Sequence, residues 1–232
     1  LTDRIARTAD VDGRTVVEVG PGPGGLTRSL LSGGVKHLIA IEKDTDCVAA
    51  LQHLKEHYPD QLTIMEADAL EVTLGDLGVG PVSIVSNLPY NVSTPLLLHW
   101  LHLLENVESL TLMFQKEVAD RLTAVASTKA YGRLSVMTQW LCEARHLFNV
   151  DKRAFVPPPK VMSSVISLTP HPAPLADARW EAMEEVTSAA FNQRRKMLRS
   201  SLKKYKLDFE ALGIDPQLRA ENLSVKQFGT LA

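Results

Sequence analysis

The chain has 232 residues, 45% hydrophobic and 22% charged, with a formal net charge of −2, which is ordinary for a soluble globular protein of one large or two modest domains. That balance excludes any argument for a nucleic-acid partner from bulk charge, so such an argument must rest on local clusters. Cys47 and Cys142 lie far apart, which excludes a disulfide framework, and of the scattered histidines His99 and His102 share a predicted helix face without a third ligand, so no metal is expected.

Residues 3–9 read as the end of a helix. Residues 14–19, rich in valine, read as a strand that runs into Gly20-Pro21-Gly22-Pro23-Gly24-Gly25 and then a helix over 26–31. A strand over 37–42 is followed by a helix over 44–58, with Val48, Leu51 and Leu54 at helical spacing. Residues 62–65 form a short strand ending near Asp68, 81–86 a fourth, buried strand, and 94–104 the helix after it. The apolar run 96–104 is the longest in the chain, yet it is too short to cross a membrane, and no signal peptide is visible. Residues 110–114 form a fifth strand, with helices over 117–124 and 134–142. Two more strands, 146–150 and 161–168, are joined by Phe155-Val156-Pro157-Pro158-Pro159-Lys160. Strands alternating with helices imply an α/β fold with a mostly parallel sheet covered on both faces. Residues 170–174 are proline-rich and read as a linker, and everything from 175 onward reads as helical. Asp215-Pro216 reads as a cap with proline at the first helical position, and Ser224 with Gln227 as a capping box. The expected division is a domain over 1–170 and a small all-helical domain over 175–232.

Ligands of such sheets sit at the carboxyl ends of the strands, and Gly20, Glu42, Asp68 and Asn87 fall at those ends on strands one to four. At the fourth, Asn87-Leu88-Pro89-Tyr90 combines a carboxamide that can donate and accept, a backbone stiffened by proline and an aromatic face. That set suits a planar amine such as the amino group of a nucleobase. Gly20, Gly22 and Gly25 also satisfy the dinucleotide pattern G-x-G-x-x-G, with Glu42 where a ribose-binding acid belongs, so a nicotinamide dehydrogenase is a second hypothesis. Pro21 and Pro23 argue against it, because each removes an N–H that a pyrophosphate would use, and Glu18 adds negative charge nearby. S-adenosylmethionine, cationic and free of phosphate, fits that surround.

Several stretches resemble the ribosomal RNA adenine N6,N6-dimethyltransferase family of the KsgA type. They are the Val16 to Thr27 segment, Ile41-Glu42-Lys43-Asp44, Ala67-Asp68-Ala69-Leu70, Ser86-Asn87-Leu88-Pro89-Tyr90-Asn91, Phe114-Gln115-Lys116-Glu117, Tyr131-Gly132-Arg133-Leu134, Phe155 to Val161, Phe191-Asn192-Gln193-Arg194-Arg195-Lys196 and Gly213-Ile214-Asp215-Pro216. The resemblance covers nearly the whole chain. It implies a Rossmann-like class I methyltransferase with a seven-stranded sheet, using S-adenosylmethionine to dimethylate N6 of two adjacent adenosines near the 3′ end of small-subunit (16S) RNA during small ribosomal subunit assembly. It implies that Glu18, Gly20, Gly22, Glu42, Lys43, Asp68, Ala69 and Asn87 surround the cofactor. Asn87, Leu88, Pro89 and Tyr90 would hold the target base, with Phe155 on its other face. A monomer in the bacterial cytoplasm is expected, with mitochondrial relatives sharing the core. The family carries a basic segment before the first helix, and this chain is expected to begin inside or just after it.

Residues 194–206 contain Arg194, Arg195, Lys196, Arg199, Lys203, Lys204 and Lys206 and no acid. Read as a helix, they place Phe191, Leu198, Leu202 and Tyr205 on an apolar stripe flanked by Arg195, Arg199, Lys203 and Lys206. Such a basic ridge would grip RNA phosphates, with Arg194 and Lys196 alongside. The Erm type, which methylates large-subunit RNA, is the nearest alternative, although Arg194-Arg195-Lys196 and Ile214-Asp215-Pro216 resemble the KsgA branch more. A non-catalytic assembly or transcription factor would keep the ridge and would not need Asn87.

Overall fold

The computed structural model describes residues 1–232 apart from the side chain of Asp76. Seven strands form one sheet: β1 (Thr15–Val19), β2 (His37–Glu42), β3 (Leu62–Glu66), β4 (Val82–Asn87), β5 (Val107–Gln115), β6 (Cys142–Val150) and β7 (Ser163–Pro170), in the order β3-β2-β1-β4-β5-β7-β6. The pairs from β3 through β5 are parallel, and β7 runs antiparallel to β5. Parallel neighbours need crossovers, which α2 (Gly25–Ser32), α3 (Thr45–Lys55) and α4 (Tyr90–Leu101) supply. The chain winds outward from β1 to β3 and returns beside β1 as β4, so the order reverses between β1 and β4. That switch point is where an open α/β sheet leaves a crevice at its carboxyl edge. The near-continuous apolar runs of β1, β2 and β4 follow from burial on both faces. Val16, Leu38, Leu62, Val85 and Val165 meet Leu26, Leu30 and Leu51 there, along with Ile5 of α1 (Thr2–Thr8).

Two compact units emerge: Leu1–Ala119 with Arg145–Pro170, and Asp120–Ala144 with His171–Ala232. The expected boundary near 170 coincides with one junction. Residues 120–144, expected in the first domain, group instead with the C-terminal segment. The reason is their apolar content: Tyr131, Val136, Met137 and Trp140, the last three on α6 (Arg133–Leu141), share a core with Met183 and Ala190 of α7 (Trp180–Asn192) and Phe228 of α9 (Val225–Leu231). Phe191 stacks on Phe228 at 5.4 Å between ring centroids, and Trp140 Nε1 donates to the Ala176 carbonyl at 2.8 Å. The capping box read at Ser224 and Gln227 is present.

Three local readings are corrected. The helix after β4 begins at Tyr90 rather than Thr94, because Pro89 (φ −57°, ψ 133°) is its N-cap and Pro95 is accommodated inside it. Asp215-Pro216 does not start a helix; the Asp215 carboxylate caps a turn, accepting from Gln217 N at 2.8 Å. Residues 194–206 are not one helix. After α7 ends, the chain turns, Met197 bridges to Arg219, and only Leu198–Ser201 (α8) and Lys203–Tyr205 are helical before Lys206 takes a left-handed conformation. Like charges three and four residues apart oppose a continuous helix. The pairing of Leu198 N with the Leu218 carbonyl at 2.8 Å satisfies the backbone another way. Leu198 and Leu202 are nonetheless fully buried, with Phe191 and Tyr205 packed on the same core.

Candidate active site

The carboxyl edge of β1 and β4 is tied together before any ligand is considered. Ser86 on β4 donates through its hydroxyl to the Val19 carbonyl on β1. One residue further, Gly20 turns with φ 66°, and a Cβ placed on it would lie 3.7 Å from Pro89 Cδ. The glycine loop therefore lies directly against Asn87-Leu88-Pro89-Tyr90. The backbone at Gly20 needs a left-handed conformation, which only glycine adopts without strain.

The N–H groups of that loop decide what it can hold. Gly20 N donates to the Ile41 carbonyl at 2.9 Å, Gly22 N to Glu42 Oε2 at 3.0 Å and Gly24 N to the Pro21 carbonyl at 3.1 Å. Pro21 and Pro23 have none to give. Every N–H from Gly20 to Gly24 is thus absent or already engaged, which leaves only the first-turn N–H groups of α2 for an anion. This scarcity of donors argues against the dehydrogenase hypothesis. Glu42 is the clamp: its other oxygen accepts from Lys43 N at 2.9 Å and Asp44 N at 3.0 Å. A carboxylate has about four lone-pair sites, so three internal bonds leave one for a ligand hydroxyl. For Glu42 to accept from both hydroxyls of a ribose, one of these bonds must give way.

Glu18 is 1% exposed, and its Oε2 has no hydrogen-bond partner among the described residues. Burial, reinforced by the charge of Glu42, pushes its carboxyl up to about 8. Asp68, just beyond β3, accepts from Leu70 N at 3.0 Å, and its other oxygen lies 3.6 Å from Lys43 Nζ; Ala69 beside it is buried. Three carboxyl groups on or near one rim, one of them buried and half unpaired, beside a glycine loop short of free donors, suit a cationic ribonucleoside better than an anionic one.

Asn87 ends β4 with its side chain exposed and in no hydrogen bond with the described residues. Leu88 anchors the turn by being buried, while Pro89 remains exposed. Tyr90 is half-buried, and its hydroxyl lies 2.6 Å from Ser163 Oγ at the start of β7. Phe155 is half-buried and packs on the sheet core; it is at once a core side chain and a surface at the mouth of the β6–β7 loop. Ser86 and Ser163 were not singled out from the sequence. Their partners lie 67 and 73 residues away, a pairing that only the strand order reveals.

The second unit holds the basic residues. Arg194 pairs with Glu221 at 2.7 Å and donates to the Thr128 carbonyl at 3.2 Å; Lys204 pairs with Glu185 at 3.2 Å. Arg195, Lys196, Arg199, Lys203 and Lys206 are exposed with no ion pair among the described residues. Arg195 and Lys196 border an open cleft of about 760 Å³, and Lys203 and Lys206 one of about 590 Å³; the two share Asn192 and Gln193.

The family model of ribosomal RNA adenine dimethylases matches residues 1–232. The ribosomal RNA small subunit methyltransferase A of Rhodospirillum rubrum is 54% identical over 237 residues, covering 100% of this chain and 82% of the relative. That of Paramagnetospirillum magneticum is 55% identical over 236 residues, covering 100% and 84%. Among solved structures, a dimethyladenosine transferase from Plasmodium falciparum superposes with a TM-score of 0.86 at 26% identity, covering 99% of this chain and 93% of that one. The 23S rRNA methyltransferase ErmE gives 0.77 at 25% identity, covering 99% and 94%. A match over every residue, on a fold whose rim carries acidic side chains and a donor-poor glycine loop beside a free carboxamide, places this chain in the ribosomal RNA adenine dimethylase family.

Proposed function

We propose that this protein uses S-adenosylmethionine to dimethylate N6 of two adjacent adenosines near the 3′ end of small-subunit (16S) RNA, in the course of bacterial small-subunit assembly in the cytoplasm. The observation that carries the chemistry is Asn87: an exposed carboxamide, uncommitted to any internal bond, on the rim next to Tyr90. The names of the relatives at 54–55% identity favour small-subunit over large-subunit RNA, whereas the ErmE structure shares the fold at half that identity.

Glu18, Glu42 and Asp68, with Gly20 and Gly22 allowing close approach, would hold the cofactor, which when bound supplies an electrophilic methyl on a sulfonium. The adenine N6 lone pair is delocalised into the ring and is a poor nucleophile. Accepting hydrogen bonds from N6–H, the Asn87 side-chain oxygen and the Leu88 carbonyl draw that nitrogen toward a tetrahedral form. Pro89 holds Leu88 extended for this. No strong base is needed, since a cationic methylated amine loses its proton readily. Positioning then dominates, and oriented reactions can gain roughly 7–11 kcal/mol. After the first methylation one N–H remains, so in the second transfer only one of the two acceptors is used. Tyr90 and Phe155 would offset the few kcal/mol of unstacking the base at about 1–3 kcal/mol per aromatic face.

Incubation with labelled S-adenosylmethionine and undermethylated small subunits, followed by RNA digestion, is expected to yield labelled dimethyladenosine. Label confined to large-subunit RNA would instead establish the Erm-type activity, and no label in either would leave a binding role. For RNA affinity, reversing charge at Arg195 and Lys203 together should weaken binding to small subunits and flatten the salt dependence by about one unit of slope for each phosphate no longer neutralised. Reversing Arg194, which already serves Glu221, should lower the melting temperature instead. Unchanged subunit affinity in the Arg195/Lys203 variant would remove this surface from the RNA interface.

A further inference from the structure

We propose that Ser163 is a positioning residue for methyl transfer, fixing the direction in which the Tyr90 ring points through a hydrogen bond between the two hydroxyls. The inference rests on the reading of Tyr90 as the face on which the target adenine stacks. Tyr90 is the first residue of α4, so its backbone is held where Pro89 feeds the helix. Its far end is held 73 residues away in sequence, with the phenol oxygen 2.6 Å from Ser163 Oγ. The phenol is the better proton donor of the two, and Ser163 can accept. A ring pinned at both ends has one axis, whereas a ring tethered only at Cα can swing about χ1.

The support behind Ser163 is rigid. Ser163 is fully buried and pairs with Gln115 of β5 across an antiparallel ladder, and the preceding carbonyl, of Met162, accepts from Lys116 N at 2.9 Å. It also closes the loop that Phe155 opens. Between Phe155 and Ser163 run three consecutive prolines, which restrict the backbone, and Phe155 packs on the sheet core. The two aromatic residues assigned to the base are therefore joined by a stiff segment whose one end is Phe155 itself. The other end bonds to Tyr90. The sheet that buries Ser163 holds its hydroxyl in place, so the bond should persist when the base arrives.

The test is a double-mutant cycle with Ser163→Ala, Tyr90→Phe and the pair, measuring single-turnover methylation of undermethylated small subunits alongside S-adenosylmethionine affinity and melting temperature. Each single variant should lose about threefold to tenfold in rate, the value of one hydrogen bond, with cofactor affinity unchanged. The double variant should be no slower than the worse single one, because both remove the same hydrogen bond. Additive losses, or a Ser163→Ala variant at the wild-type rate, would overturn the role. The bond has its own readout apart from turnover: in protein with labelled tyrosine, the Cζ resonance of Tyr90 should move in Ser163→Ala, and an unmoved resonance would show that no such bond exists. An inactive wild-type protein with a moved resonance would count against the adenine reading, and hence against the positioning role of Ser163, while leaving the hydrogen bond itself established.

Discussion

Replacing Asn87 with alanine should abolish most methylation while leaving the cofactor bound. The carboxamide is exposed at the end of β4 and holds nothing else in place, so its loss should not disturb the fold. Asn87 is expected beside the cofactor as well, but Glu18, Glu42 and Asp68 sit on or beyond other strands and keep their partners, so its loss removes one contact of several. What disappears is one of two acceptors aimed at the reacting nitrogen. Removing one preorganised hydrogen-bonding group from a developing charge typically slows the step by about 10²–10³-fold. The expected outcome is a fall of that order in single-turnover rate, with S-adenosylmethionine affinity by calorimetry within about a factor of three of wild type. The Leu88 carbonyl persists in the variant, which is why the loss should stop short of complete. A variant with near-normal turnover would show that Asn87 does not hold the amine, and the non-catalytic reading would regain ground. Serine, with a shorter acceptor, should recover little, because its oxygen falls short of the position that the amide oxygen reaches.

The sheet and the rim were legible because they depend on local pattern. Apolar runs ended by glycine, a carboxylate or a carboxamide announce buried parallel strands, and four such endings align on one edge whatever the loops between them do. The scarcity of donors in the glycine loop was legible in part for a chemical reason: Pro21 and Pro23 remove donors irrespective of conformation. The full reason required the structure, since only there are the remaining N–H groups of Gly20, Gly22 and Gly24 seen to be engaged. The 194–206 segment shows the opposite case. Its spacing of Leu198, Leu202 and Tyr205 fits a helix, and those side chains do reach the core. They reach it through a turn, a bridge to Arg219 and two short helical pieces, because a long-range backbone pairing outweighs local periodicity. Arg194 was grouped with the RNA-binding cations by composition, yet its guanidinium is committed to Glu221 and Thr128. Likewise, nothing in the sequence near Gln139 signals that residues 120–144 join the C-terminal unit; that follows from where Tyr131 and Trp140 find apolar partners.

Changing Glu18 to glutamine should make the free protein more stable at alkaline pH and a poorer binder of its cofactor. Glu18 is almost fully buried, has one unpaired oxygen and faces the field of Glu42, which together hold its carboxyl up at about 8 against an ordinary 4.5. A group whose folded pKa lies above its unfolded value binds protons more tightly in the folded state. Its stabilisation is complete below about pH 4.5, declines as pH rises, and is gone once pH passes about 8. Above that, the fold must carry a buried unpaired charge, a destabilisation on the order of a few kcal/mol. Glutamine keeps the shape and cannot ionise, so melting temperatures of the two free proteins should diverge between these pH values, with the variant ahead at pH 9. Part of that gain will be offset by an amide left without a partner, worth about 1–3 kcal/mol. A bound cation reverses the balance, since it favours the ionised form of Glu18. At pH 7, cofactor binding by the wild-type protein should therefore release close to one proton, measured by calorimetry in buffers of different ionisation enthalpy, and the variant should release none. Its affinity should fall by about ten- to a hundredfold, the range for a hydrogen bond to a charged group. Parallel melting curves across this pH range, with no difference in proton release, would mean that Glu18 is ionised throughout and that burial at the end of β1 is compensated by a partner the cofactor does not supply.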